Sequence, residues 1–135
     1  MSNLAIDGGS PVRTQPFPAW PMIKPEYYDA LKKAMDTRFW GVGSPVIKEF
    51  EEKFAQLHGA KHALSITNGT WAIWIGLKAC DIKAADEVII PSYTFIATAS
   101  SVLFANAIPV FVDIHPETYN MDPYLLEDAI TANTK

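Results

Sequence analysis

Short apolar runs alternate with amphipathic segments along most of the chain, and this alternation predicts strands that alternate with helices. Strands are predicted at residues 62–66, 88–90 and 109–112, and helices at 70–80 and 96–105. Helices of about ten residues between such strands favour right-handed crossovers and a mostly parallel sheet. The predicted fold class is therefore α/β, with three layers and helices on both faces of the sheet.

Prolines and capping residues predict where three further helices begin. Pro25 suits the first turn of a helix that runs to about residue 36. Ser44 and Pro45 predict a second start, with a capping hydroxyl, and Asp122 with Pro123 predicts a third. The second of these helices carries an apolar stripe that is predicted to face the core: Ile47, Phe50, Phe54 and Leu57.

Residues 1–24 form a segment of a different kind, irregular and rich in proline and glycine. Its aromatic side chains, Phe17 and Trp20, are seldom left to solvent in a free tail. They either pack on the chain's own sheet or contact a second subunit, and the sequence leaves both interpretations open. We therefore predict an N-terminal arm at 1–24 and one α/β unit at 25–135.

The segment Asn68-Gly69-Thr70 connects a predicted strand to a predicted helix and has the composition of an anion site. Glycine lets the backbone turn tightly and lets a ligand approach it closely. Thr70 and the residues after it offer a hydroxyl and unpaired N–H groups at a helix N-terminus. A phosphate or carboxylate suits this corner, although any strand-to-helix turn needs similar residues.

A second turn, at 92–98, follows the strand that ends at Pro91 and is rich in hydroxyl and aromatic side chains. Ligand contacts in parallel sheets lie at the carboxyl ends of strands, so both turns are expected on one edge. A flat aromatic cofactor that carries a phosphate would suit this pair of turns. Either Tyr93 or Phe95 would stack on its ring, and the Thr70 corner would hold its phosphate.

Composition and charge narrow the function further. The chain has 135 residues, 49% of them hydrophobic, a net charge of −4 and a single cysteine, Cys80. These values predict a folded domain without a disulfide framework, and they argue against nucleic-acid binding. No apolar run reaches membrane-spanning length and no secretory leader is recognisable, so we expect a cytoplasmic protein with no membrane partner. Cys80 is predicted to be a small buried residue.

Metal binding is not expected from the histidines. His58 and His62 are four residues apart, but Gly59 ends the helix between them, so they would not share a helix face. His115 stands far along the chain. Asp113, after the third predicted strand, either faces the pocket or simply ends the strand.

Many ordered blocks of this chain resemble the DegT/DnrJ/EryC1/StrS aminotransferases, which are fold-type-I enzymes that use pyridoxal 5'-phosphate (PLP). The blocks cover nearly the whole sequence. They are Ile6-Asp7-Gly8-Gly9, Pro16-Phe17-Pro18-Ala19-Trp20-Pro21, Phe39-Trp40-Gly41, Phe50-Glu51-Glu52-Lys53-Phe54-Ala55, Asn68-Gly69-Thr70, residues 86–99, Pro109-Val110-Phe111-Val112-Asp113, Thr118-Tyr119-Asn120-Met121-Asp122-Pro123 and Ala129-Ile130-Thr131.

This resemblance implies that Gly69, Thr70 and Trp71 bind the cofactor phosphate and that Phe95, rather than Tyr93, stacks on the pyridine ring. It implies transfer of an amino group from glutamate or glutamine to a nucleotide-linked keto-sugar or a keto-cyclitol. It also implies a homodimer. One departure concerns Trp71 and Trp74, which are bulkier than the residues usual there and would alter packing behind the corner.

In the family, the lysine that forms a Schiff base with PLP and the aspartate that pairs with the pyridine nitrogen lie beyond the equivalent of Lys135. We therefore expect 25–135 to be the N-terminal portion of the PLP-binding large domain, truncated at its C-terminus, and inactive alone. The alternative is a non-catalytic, PLP-binding regulatory member of the family. A Rossmann-type nucleotide-binding domain is disfavoured because no Gly-x-Gly-x-x-Gly follows a strand.

Overall fold

The computed structural model describes residues 3–135, which divide into two compact units. The first unit extends to Lys61 and the second runs from His62 to Lys135. The first two positions of the predicted 1–24 arm lie outside the described residues. The division at residue 61 differs from the predicted boundary at 24, which stays a prediction.

In the first unit, a short 3-10 turn (Ala5–Asp7) precedes two helices, α1 (Pro25–Asp36) and α2 (Pro45–Leu57). Both helices begin with proline in the first turn, as predicted. Ser44 occupies the N-cap of α2, but its side chain makes no capping hydrogen bond, so that part of the prediction is wrong. The helix starts instead with the backbone bond from Lys48 N to Ser44 O, at 3.0 Å.

The apolar stripe of α2 is not core in this structure, contrary to the prediction. Phe50, Phe54 and Leu57 are all exposed, and in α2 only Ala55 is buried. The stripe has the helical spacing of a packing face, but the described chain covers it only in part, with Ile47 half-buried. The arm residue Trp20 is 91% exposed in the same way.

One backbone carbonyl of α1, that of Ala34, accepts two side-chain hydrogen bonds from the loop that follows the helix. Ala34 O accepts the Thr37 hydroxyl at 2.7 Å and the Trp40 indole N–H at 3.0 Å. Trp40 therefore fixes the loop to the end of α1, which is a structural role.

The second unit alternates helices and strands. Its elements, in chain order, are α3 (Gly69–Ala79), β1 (Glu87–Pro91), α4 (Ala97–Phe104), β2 (Ile108–Val112) and α5 (Pro123–Ala129). β1 and β2 pair in parallel, with Glu87 opposite Ile108 and Pro91 opposite Val112. Asp122 caps α5, because its Oδ1 accepts the N–H of Tyr124 at 2.9 Å. The predicted α/β class with a parallel sheet is confirmed.

On the side of β1 that faces away from β2, Glu87 forms a parallel bridge to Thr134. Glu87 N donates to Asn133 O at 2.9 Å, and Lys135 N donates to Glu87 O at 3.0 Å. β1 is therefore flanked at Glu87 by two neighbours, and residues 133–135 have the pairing of a strand start.

The strand predicted at 62–66 is not formed, since these residues belong to no strand in the structure. A strand exists only through ladder pairing with a neighbouring strand, and no ladder or isolated bridge among the described residues includes this segment. The buried core lies instead where β1 and α4 meet, formed mainly by small residues: Ile82, Ile90, Ala99, Val102, Ala105 and Ala107. Trp74, Leu77 and Val88 pack against it.

Candidate functional site

The loops that leave β1 and β2 are joined at the carboxyl edge of the sheet. Ser92 N donates to Val112 O at 2.8 Å, and the Ser92 hydroxyl donates to Asp113 Oδ1 at 3.0 Å. The same carboxylate oxygen accepts the N–H of Ile114 at 2.8 Å. The Ile114 N–H, followed by the Ser92 hydroxyl, lowers the pKa of Asp113. Asp113 therefore ties the two strand ends together as a carboxylate.

The Asn68-Gly69-Thr70 corner is the start of α3. Asn68 is the N-cap, and its Oδ1 accepts the N–H of Trp71 at 3.1 Å. Gly69 and Thr70 are the first two residues of the helix, so their N–H groups have no partner four residues back inside it. The corner thus combines two helix N-terminal donors with the Thr70 hydroxyl, a donor set that suits a phosphate.

Gly69 is not required by the fold of the described chain. A Cβ built at this position would meet no atom within 4 Å, and the φ of Gly69 is outside the left-handed region. The sequence-based argument that the turn needs glycine is therefore wrong. The open space at Gly69 instead leaves room for a ligand to approach the first turn of α3 closely.

A buried hydroxyl connects this corner to the turn that carries Phe95. Ser101 in α4 is 0% exposed, and its Oγ lies 2.9 Å from Thr70 O and 2.7 Å from Ala97 O. Ala97 is the first residue of α4, two residues after Phe95. One oxygen atom therefore joins the first turn of α3 to the first turn of α4.

The aromatic side chains of the second turn are open to solvent. Phe95 is 76% exposed and Tyr93 is 70% exposed, and with Thr94 they line an open hollow of about 360 Å³. The ring of Tyr93 lies against Tyr119, with centroids 6.1 Å apart. Tyr93 thus has an aromatic neighbour in the structure, whereas Phe95 presents its ring without one among the described contacts.

The side chain of Trp71 packs between α3 and α4. Its ring stacks on Phe104 of α4, with centroids 5.8 Å apart, and meets Trp74 edge-on at 5.2 Å. The Trp74 indole N–H is buried with no hydrogen-bond partner among the described residues. The Trp71 side chain therefore packs against α4 beside the corner, and only the backbone of Trp71 lies at the corner itself.

Other candidate chemistry is not supported at this edge. Among the described residues, no three His, Cys, Asp or Glu side chains come together in a way that would hold a metal ion. The single cysteine, Cys80, lies at the C-cap of α3 and is exposed. The prediction that it is buried is therefore wrong. Within residues 3–135, no helix has the length and apolar composition needed to cross a bilayer.

The structure thus brings together Gly69, Thr70 and the Phe95 turn through a residue that the sequence did not single out, Ser101. A serine within a helix can bond the carbonyl four residues back without any other partner, so the position of Ser101 in the sequence gave no signal. Only the packing of α3 on α4 shows that the same hydroxyl also reaches Thr70. The assignment of Gly69, Thr70, Trp71 and Phe95 to cofactor binding stays a prediction.

Comparison with known proteins gives consistent results. The DegT/DnrJ/EryC1/StrS aminotransferase family matches residues 21–135. The L-glutamine:2-deoxy-scyllo-inosose aminotransferase of Streptomyces kanamyceticus is 39% identical over 99% of this chain and 33% of its own length. The chain therefore spans about a third of the length of the curated relatives it matches.

Solved structures agree. The crystal structure of 3-amino-5-hydroxybenzoic acid synthase superposes with a TM-score of 0.84 at 37% identity, covering 89% of this chain and 32% of that one. NtdA from Bacillus subtilis, solved with its cofactor PMP bound, gives a TM-score of 0.75 at 35% identity, covering 80% of this chain and 25% of that one. The expected family and fold are confirmed, and the PLP-type cofactor is confirmed for these relatives.

Proposed function

We propose, since the chain belongs to the DegT/DnrJ/EryC1/StrS aminotransferase family, that the protein containing it transfers an amino group from glutamine or glutamate to a keto-cyclitol or keto-sugar. PLP would be its cofactor. The cyclitol class is favoured by the relative from Streptomyces kanamyceticus, whose name specifies glutamine as donor and 2-deoxy-scyllo-inosose as acceptor. The keto-sugar acceptor remains within the same proposal, because both substrates present a ring ketone among hydroxyl groups.

The observation that carries the proposal is the first turn of α3. The N–H groups of Gly69 and Thr70 and the Thr70 hydroxyl would hold the phosphate of PLP, and the helix dipole favours a dianion there. A Cβ at Gly69 would point into open space, so the phosphate can lie directly against the backbone. Trp71 would contribute its backbone N–H to the same phosphate. In this structure that N–H donates to Asn68 Oδ1 instead.

Phe95 would form the second contact with the cofactor. Its ring is exposed and lies in the turn that Ser101 connects to Thr70, so it is available to stack on a planar pyridine ring. Bound PLP supplies an electron sink for chemistry at the amine-bearing carbon. The residues of this chain would bind the cofactor, orient its ring and shield one face of it from water.

The organisation of the whole protein is part of the proposal. Residues 1–24 would be an arm that contacts a second subunit of a homodimer, and 25–135 would be the first portion of the PLP-binding domain. The exposed Trp20 and the exposed stripe on α2 agree with surfaces that later sequence or a second subunit covers. We propose a cytoplasmic location, with no nucleic-acid partner.

The test is to read the coding region downstream of Lys135, express the full open frame and look for visible cofactor absorbance that borohydride fixes onto a lysine. Amino-donor assays with glutamine and glutamate, against a keto-cyclitol and a keto-sugar, would then identify the substrates. A frame that binds PLP without a reactive lysine would overturn the aminotransferase and favour the non-catalytic family member. A frame that binds no PLP would overturn both.

A further inference from the structure

Ser101 is the one fully buried hydroxyl that links two helices at the candidate site in the described structure. It lies in α4, and its side chain is 0% exposed. Its Oγ is 2.7 Å from Ala97 O, a local contact one turn back, and 2.9 Å from Thr70 O, a contact across to α3. The local contact is common for serine in a helix. The contact with Thr70 is specific to this packing.

A hydroxyl carries one proton, which these two carbonyl oxygens share. Both carbonyls also lie in helical turns, where the N–H four residues ahead can reach them. Removing the hydroxyl therefore leaves neither carbonyl without a donor. What is lost is the polar connection that sets the first turn of α3 against the first turn of α4.

The two connected turns carry the two proposed cofactor contacts. Thr70 belongs to the phosphate corner, and Ala97 follows Phe95 by two residues. The phosphate and the ring of one PLP molecule are held at a fixed distance by covalent bonds. The corner and the aromatic ring can engage the same molecule only if the protein also fixes their separation, and the buried hydroxyl acts on that separation.

We propose that Ser101 is a positioning residue for PLP: it holds the phosphate corner in register with the Phe95 turn without touching the cofactor. This inference rests on the proposed PLP site. Ser101 contacts the carbonyl of Thr70, which belongs to the proposed phosphate corner. Losing Ser101 should therefore lower the part of the cofactor affinity that depends on the phosphate.

The experiment measures the affinity of the full-frame protein for PLP and for pyridoxal, which lacks the phosphate, by quenching of tryptophan fluorescence. Ser101→Ala should weaken PLP binding roughly five- to tenfold, the range that corresponds to one net hydrogen bond. Pyridoxal affinity should change by less than about twofold, since no phosphate is present to be positioned. Ser101→Cys fills a similar volume with a weak donor and should behave as Ser101→Ala does.

Ser100→Ala is the matched control, because Ser100 is the neighbouring serine of the same helix and its side chain has no hydrogen bond to α3 in the described structure. It should leave both affinities unchanged. Equal losses of PLP and pyridoxal affinity in Ser101→Ala and Ser101→Cys would overturn the positioning role in favour of a general packing role, as would no loss at all. A parent protein that does not prefer PLP over pyridoxal would overturn the phosphate site itself, and the inference with it.

Discussion

Replacing Gly69 by alanine is expected to change the stability of the fold and the affinity for PLP in opposite directions. The added Cβ would meet no described atom within 4 Å, and the φ of Gly69 is outside the left-handed region that disfavours a side chain. Alanine should therefore stabilise the first turn of α3, by about 0.4–1 kcal/mol, because it lowers the entropy of the unfolded chain. The same methyl group would occupy the space through which a phosphate approaches the N–H groups of the corner.

The expected loss of PLP affinity follows from the contact that the methyl group obstructs. A hydrogen bond to a charged group contributes about 1.5–3 kcal/mol, so displacing the phosphate from one N–H should weaken binding roughly ten- to a hundredfold. Stability would be measured by denaturant unfolding of the protein without cofactor, and affinity by titration with PLP. The prediction is a variant that is at least as stable as its parent but binds PLP poorly.

Gly76→Ala provides the control. Gly76 lies in the same helix, and a Cβ built there also meets no atom within 4 Å. It should raise stability by up to about 1 kcal/mol and leave PLP affinity unchanged, since it is two turns from the corner. The reasoning would be refuted if Gly69→Ala bound PLP as tightly as the Gly76 variant. A destabilised Gly69→Ala would refute the claim that the fold leaves this position open.

Three further predictions concern stability and charge. Residues 1–135 alone should associate or lack a cooperative melt, because many large apolar side chains are exposed; a monomeric, cooperative transition by light scattering and calorimetry would contradict this. Hydrogen bonds from Lys33 and then Lys53 lower the pKa of Glu49 to about 2 from 4.5, so the stability this carboxylate contributes is complete above pH 4.5 and disappears as the pH falls through about 2. NMR titration should show that Lys33→Met raises the pKa of Glu49, and an unchanged pKa would remove Lys33 as the cause. Ser92→Ala should raise the pKa of Asp113 only part of the way to its ordinary value, since the Ile114 N–H is the larger cause, and full restoration would contradict that order.

Local sequence patterns predicted the elements whose stabilising contacts are local. Pro25 and Pro45 stand in the first turns of α1 and α2, and Asp122 caps α5, because a cap and a first turn need only neighbouring residues. The alternation of apolar runs with helices predicted a parallel pair, and β1 and β2 form one. The start of α3 at Asn68-Gly69-Thr70 was predictable on the same basis, since a helix N-terminus has free N–H groups wherever it lies.

Contacts between distant residues were decided only by the tertiary structure. The segment 62–66 has a strand pattern but no strand neighbour, and Cys80 is exposed because it lies at the end of α3 rather than on its packed side. The stripe on α2 has the spacing of a core face, yet Phe50, Phe54 and Leu57 are all exposed and none of them is buried in the described chain. Ser101 shows the same limit at the candidate site. Its sequence neighbourhood predicts a bond to Ala97, and only the packing of α4 on α3 brings its hydroxyl to Thr70, because a hydrogen bond across 31 positions depends on where two helices meet.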